Sequence, residues 1–228
     1  MEKLIRKRVL RAIEEKVFPG CAVGIIRKNG ERTILPFGRF TYETGSPEIE
    51  EDAIFDVASI TKAIPTSCLA LKLVDESKLY LEDKLIKFIP EFSNSDRDRV
   101  LIKHLLTQTL DYDFRLFDEK DKSPDEILKI ILTTDFRAPP GEKFEYRDAN
   151  SILLGLVMER VLGDTLDNLG DKYFFEPLRM THTTFHPLER FNESEVVPTE
   201  NDDWRGRVIQ GEVHDESAFA LRPKMIAG

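Results

Sequence analysis

The run Phe55-Asp56-Val57-Ala58-Ser59-Ile60-Thr61-Lys62-Ala63-Ile64-Pro65 is where this chain changes its pattern. Before it, apolar residues alternate as in strands; after it, Leu69, Leu71, Leu73 and Val74 follow a helical pattern. Ser59 therefore stands where the chain leaves a sheet and enters a helix, so the fold must hold both. On a helix, a spacing of three puts the Ser59 hydroxyl and the Lys62 ammonium on one face, one turn apart. That pairing suits a serine nucleophile whose proton a neighbouring lysine takes or holds. Serine is also a preferred N-cap. A capping box, however, wants Glu or Gln where Lys62 stands. A cation in the first turn also opposes the helix dipole by about 0.3–1 kcal/mol. A locally unfavourable residue at an element boundary points towards function.

Upstream, residues 3–17 place Leu4, Ile5, Val9, Ile13 and Val17 near helical spacing, which predicts an amphipathic helix ended by Phe18-Pro19-Gly20. Residues 21–27 read as an apolar strand, Asn29-Gly30 as a hairpin turn and residues 32–42 as the returning strand. Downstream, residues 102–110 and 123–132 read as helices, the second with Ser123 as cap and Pro124 in first position. Pro139-Pro140-Gly141-Glu142 is a turn, followed by the short extended run Lys143-Phe144-Glu145-Tyr146. A helix then begins near Asp148, carries Ile152, Leu153, Leu156, Val157 and Val161, and runs to a C-cap at Gly163. Residues 187–217 are polar and loop-like. The expected division is 1–58, an N-terminal helix and strands, and 59–228, a mostly helical part with an irregular C-terminal loop.

Charge narrows the partners. With 33 basic against 42 acidic residues the net charge is −9, and no basic run offsets it, which argues against nucleic acid. No stretch approaches the roughly 20 apolar residues of a membrane span. Residues 1–10 hold no uninterrupted apolar run, so no export signal is expected and the chain reads as cytoplasmic. Cys21 and Cys68 sit among apolar neighbours and read as buried, reduced thiols. The only glutamines are Gln108 and Gln210, while charged residues abound, a balance found in heat-adapted proteins.

Tyr146-Arg147-Asp148 forms a second constellation, held between a tight turn and a helix start. Alone, it reads as a half-buried aromatic beside an N-cap. In order along the chain, however, residues 55–62, His104-Leu105-Leu106-Thr107, residues 140–150, Ile152-Leu153-Leu154-Gly155, Phe175-Glu176-Pro177-Leu178 and residues 211–216 resemble the serine β-lactamase-like hydrolases. That family holds class C β-lactamases, D,D-peptidases and related esterases, and residues 198–221 look closest to the esterase branch. The resemblance implies an α/β (α+β) fold of β-lactamase/transpeptidase type, with an antiparallel sheet flanked by helices and a mostly helical subdomain. It implies an acyl-enzyme at Ser59, with Lys62 and Tyr146 sharing acid and base duty at pKa values drawn towards neutrality. Asp148 would orient Lys62 and the substrate, His214 would line the site, and the Ser59 N–H would be one oxyanion donor. His104, on an apolar helical face, reads as structural. No metal or organic cofactor is needed, and the partner is a small ester or amide. The expected activity is that of a carboxylesterase with weak β-lactam hydrolysis. A β-lactamase or D,D-carboxypeptidase, and a non-catalytic penicillin-recognising module, are the alternatives.

Two departures stand out. The family's third motif, Lys-Thr-Gly or His-x-Gly on a strand, has no counterpart here, Lys224-Met225-Ile226-Ala227-Gly228 being no convincing substitute. The run after His104 also reads Gln108-Thr109-Leu110-Asp111 in place of the family's His and Ser-Gly. The sheet is therefore expected to be incomplete at the C-terminus, with an open edge that a second copy of the chain could pair.

Overall fold

The structure, a computed structural model, describes residues 1–92 and 97–222. The run 224–228 weighed above as a third motif lies outside the described residues. Contacts divide the chain into two compact units, Met1–Asp56 with His186–Glu212, and Val57–Phe185 with Val213–Gly228. Residues 186–212, grouped by sequence with the helical part, thus cluster with the first 56. Ile54 forms a parallel bridge with Val196 and ties the two runs together.

In the first unit, helix α1 (Glu2–Glu14) precedes strands β1 (Gly20–Ile26) and β2 (Arg32–Gly38), which pair antiparallel from Gly20↔Gly38 to Ile26↔Arg32. The turn closes by Gly30 N–H donating to Arg27 O, and the Asn29 side chain accepts from Glu31 N–H. Register puts Cys21, Val23, Leu35 and Phe37 on one face of the hairpin. Leu35 and Phe37 are buried, and the Arg6 guanidinium of α1 lies over the Phe37 ring. Ile26 and Ile34, on the opposite face, are exposed. Helix α1 is amphipathic as its spacing predicts, yet it buries no residue fully. Beyond α7 (Pro187–Arg190), a short ladder joins β3 (Asn201–Asp202) to β4 (Arg207–Val208). Among the described residues, strands pair only two by two, so the sheet is incomplete.

The second unit is helical. Helix α5 (Asp148–Leu162) is its axis: Ile152, Leu153, Leu154, Val157 and Met158 are all buried, so it is covered on every side. Gly163 ends it at φ 71°, a left-handed cap that only glycine adopts without penalty. Around it pack α2 (Cys68–Asp75), α3 (Ile102–Leu106), α4 (Pro124–Thr133) and α6 (Leu166–Gly170), with α8 (Glu216–Ala220) last in the chain. At the start of α4, Glu126 N–H donates to the Ser123 hydroxyl and Ser123 N–H donates to the Glu126 carboxylate, the reciprocal capping box. Its far end is closed by Arg97, whose guanidinium lies between the Phe92 and Phe136 rings and donates to Ile131 O and Thr134 O. Tyr112 is fully buried and donates its hydroxyl to the same Ile131 O.

Two predicted helices are shorter than their spacing suggests. The helix entered at Ser59 breaks at Ile64 (φ −125°, ψ 112°) and resumes after it. Pro65 explains the break, because its ring excludes the residue before it from helical angles. Helix α3 stops at Leu106, and Gln108 adopts the left-handed φ of 55°. The thiols differ as well: Cys21 and Cys68 are free but only half-buried, and burial pushes the Cys21 thiol up.

Candidate active site

Ser59 follows a bend whose cause is local. Ala58 sits at φ 45°, a conformation that costs an L-residue about 1–2 kcal/mol. The chain then turns through Lys62 N–H donating to Ser59 O at 3.2 Å. Ser59 is exposed, and its amide N–H has no acceptor among the described residues. A free amide beside an exposed hydroxyl is what an oxyanion donor requires.

Lys62, by contrast, is buried, with 6% of its surface exposed. Its ammonium donates to the Ser59 Oγ at 2.8 Å and reaches the Asp148 Oδ1 at 3.0 Å. The same ammonium stands 5.6 Å from the centroid of the Tyr146 ring. Sequence spacing pairs Ser59 with Lys62, and the fold brings Tyr146 and Asp148 to Lys62. Half of the Tyr146 surface remains exposed, so its phenol is open to a substrate. His214 is half-buried next to Asp215.

The charge on Lys62 departs from expectation. Burial alone pulls its pKa down, and this is the largest single influence. The Asp148 carboxylate, by its charge and its hydrogen bond, together with the charges of Tyr146 and Asp215, outweighs burial, so the pKa rises above the ordinary lysine value. Lys62 is therefore not drawn towards neutrality; it is held as an ammonium. As an ammonium it donates to Ser59 and has no lone pair with which to take the serine proton.

Asp215, beside His214 in the same motif, is a residue that the sequence pattern does not single out. Its carboxylate also accepts from Ala218 N–H at 2.8 Å as the N-cap of α8, so one aspartate caps a helix and adds to the field on Lys62. Gln108 was noted only as a departure, yet it fixes the Tyr146 segment. Its Oε1 accepts from Arg147 N–H at 3.0 Å and Asn150 Nδ2 at 3.1 Å, its Nε2 donates to Ser151 Oγ, and its carbonyl accepts from Glu145 N–H. A half-buried amide with three side-chain bonds around Tyr146 could be foreseen only from the contact itself. His104 is structural: its Nδ1 accepts from Leu101 N–H, burial lowers its pKa, and its ring fills the space above Gly141, where a Cβ would come within 3.0 Å of Nε2. Asp111, almost fully buried, is held by Arg137 and by Lys143 at 2.8 Å, which staple the loop before Tyr146.

Known proteins resemble this chain in sequence and in fold. A protein of Escherichia coli (strain K12), provisionally named a D-alanyl-D-alanine carboxypeptidase, is 32% identical over 192 residues, covering 73% of this chain and 44% of its own length. Two solved structures share the fold. The D-alanine carboxypeptidase AmpC from Burkholderia cenocepacia aligns at TM-score 0.77 with 19% identity over 98% of this chain and 59% of that one. EstCE1, a hydrolase with promiscuous acyltransferase activity, aligns at 0.74 with 20% identity over 99% of this chain and 66% of that one. The chain spans about half the length of the relatives it matches. The beta-lactamase family model matches residues 5–219, so this chain, with its Ser59–Lys62 pair and its incomplete sheet, belongs to the beta-lactamase family of serine hydrolases.

Proposed function

We propose that this protein is a carboxylesterase that forms an acyl-enzyme at Ser59. The observation that carries the reading is the Lys62 ammonium, which bonds Ser59 Oγ at 2.8 Å and Asp148 at 3.0 Å while lying against the Tyr146 ring. With Lys62 held cationic, Tyr146, whose ring lies beside that ammonium, is assigned the duty of the base. Ser59 Oγ attacks the ester carbonyl, its proton passes to the Tyr146 oxygen, and the Ser59 N–H receives the developing oxyanion. The tetrahedral intermediate then collapses, and the leaving alkoxide takes the proton back from Tyr146. Water repeats the sequence on the acyl-serine: Tyr146 accepts its proton, hydroxide adds, and Ser59 leaves as the free hydroxyl. Lys62 serves throughout as the charge that holds the serine oxygen beside Tyr146, with Asp148 and Asp215 maintaining that charge. His214 is proposed to border the substrate. No metal or organic cofactor enters, and a second copy of the chain pairing on the β1–β2 hairpin belongs to the same reading.

A short-chain 4-nitrophenyl ester and a fluorescent penicillin test it. Ester turnover that Ser59→Ala abolishes is the expected result. Stable penicillin labelling without turnover identifies a recognition module instead. Fast penicillin turnover with little esterase activity identifies a β-lactamase. Release of D-alanine from a D-Ala-D-Ala peptide identifies a carboxypeptidase.

A further inference from the structure

Beside Tyr146 and Asp148, within the second unit, lies a cavity of about 270 Å³. Phe114, Leu116 and Phe117 give it apolar walls, and Arg115, Glu145 and Arg147 give it charges besides Asp148. Those charges do not cancel. Asp148 is engaged by Lys62. Glu145 is shared between Arg147 at 3.4 Å and Lys143 at 3.7 Å. Behind the wall, Asp111 already serves Arg137, Lys143 and, at 3.9 Å, Arg147, while Asp113 stands 3.9 Å from Arg137. The Arg115 guanidinium has no hydrogen-bond or ion-pair partner among the described residues. Arg147 is nine-tenths buried, and its Nε–H has no acceptor among them. The Arg147 Nε is closed off from the cavity, so the slot is bordered by the one guanidinium, Arg115, that has no partner among the described residues, and it is complementary to an anion on an apolar stem.

We propose that this cavity is a subsite for a carboxylate carried by the ester substrate, with Arg115 as its partner. The apolar part of the substrate lies along Phe114, Leu116 and Phe117. This rests on the esterase reading above only in that Asp148, in the wall of the cavity, also bonds the Lys62 ammonium that holds Ser59. It makes the substrate class acid-bearing esters, not neutral ones. The net charge of −9 disfavours anions at long range, so recognition of one needs such a local cationic pocket.

Binding to the Ser59→Ala protein, in which esters persist, tests the subsite apart from catalysis. The probes are monophenyl glutarate, with its acid on the acyl side, 4-(butanoyloxy)benzoate, with its acid on the alcohol side, and neutral phenyl butanoate. Titration calorimetry should show one of the two acids binding about tenfold more tightly than the neutral ester, the arm that wins giving the side on which the carboxylate lies. That advantage should vanish in Ser59→Ala/Arg115→Ala and invert in Ser59→Ala/Arg115→Glu. Equal affinity for all three probes, or an advantage that survives Arg115→Ala, overturns the proposal. Turnover of all three esters by the unmodified protein is measured alongside. No turnover of any of them with acid binding intact removes the esterase reading and keeps the subsite; turnover without any acid preference in binding does the reverse.

Discussion

At the scale of single residues, Lys62 decides the chemistry. Buried, it ought to lose its proton more readily than a free lysine; paired with Asp148 and under the charge of Asp215, it does not. Because its folded pKa is raised, its stabilising interaction is fully present below the ordinary lysine value and is lost as pH rises through the higher folded value. The rate profile should consequently show no loss of the Lys62 charge between pH 6 and about 10. Asp148→Asn, which keeps an acceptor and removes the charge, should move the alkaline fall of kcat to lower pH and cost about 1–3 kcal/mol in a denaturant titration. An unmoved alkaline limb would separate Asp148 from Lys62. The spacing of Ser59 and Lys62 was legible because three residues on a helix define a face. The charge state of Lys62 was not, since it depends on carboxylates that only the fold brings near.

At the scale of elements, sequence served best where the signal is local. The capping box at Ser123 and the cap at Gly163 stand where Ser, Pro and Gly announce them. Ser123→Ala should cost about 1 kcal/mol, and Gly163→Ala a similar amount, both measurable as shifts in the unfolding midpoint. The helix entered at Ser59 was overextended because apolar spacing continues across Pro65 while the backbone cannot. Gln108 illustrates what pattern cannot reach: its role consists of bonds to Arg147, Asn150 and Ser151, and nothing in its neighbours' spacing announces them. Gln108→Leu would leave Arg147 N–H and the Asn150 amide short of an acceptor, costing about 2–4 kcal/mol. It should lower kcat through a loosened Tyr146 segment, and Gln108→Glu, which retains the acceptor, should recover part of that kcat. Equal losses in both variants would reduce Gln108 to a structural residue.

At the scale of the whole molecule, we propose that a second copy of the chain pairs on the hairpin β1–β2, where Ile26 and Ile34 are exposed. Sedimentation velocity should show a species larger than a 26.3 kDa monomer, and a charged Ile34→Lys variant should shift it towards the monomer. A strictly monomeric parent protein would remove that idea. Among the described residues no helix is long and apolar enough to cross a membrane. The two-part organisation was only half legible, because the return of residues 186–212 to the first unit is a long-range event in a polar stretch without periodicity. The ordered motifs were enough to place the family, and convergence on Ser59 remains the centre of the account. Its most direct test is peptide mass spectrometry after exposure to a serine-reactive fluorophosphonate. A single adduct on the peptide containing Ser59, absent in Ser59→Ala and slowed at least about tenfold in Tyr146→Phe, is the predicted result. An adduct on another residue, or none under conditions that label an active serine esterase, would contradict it.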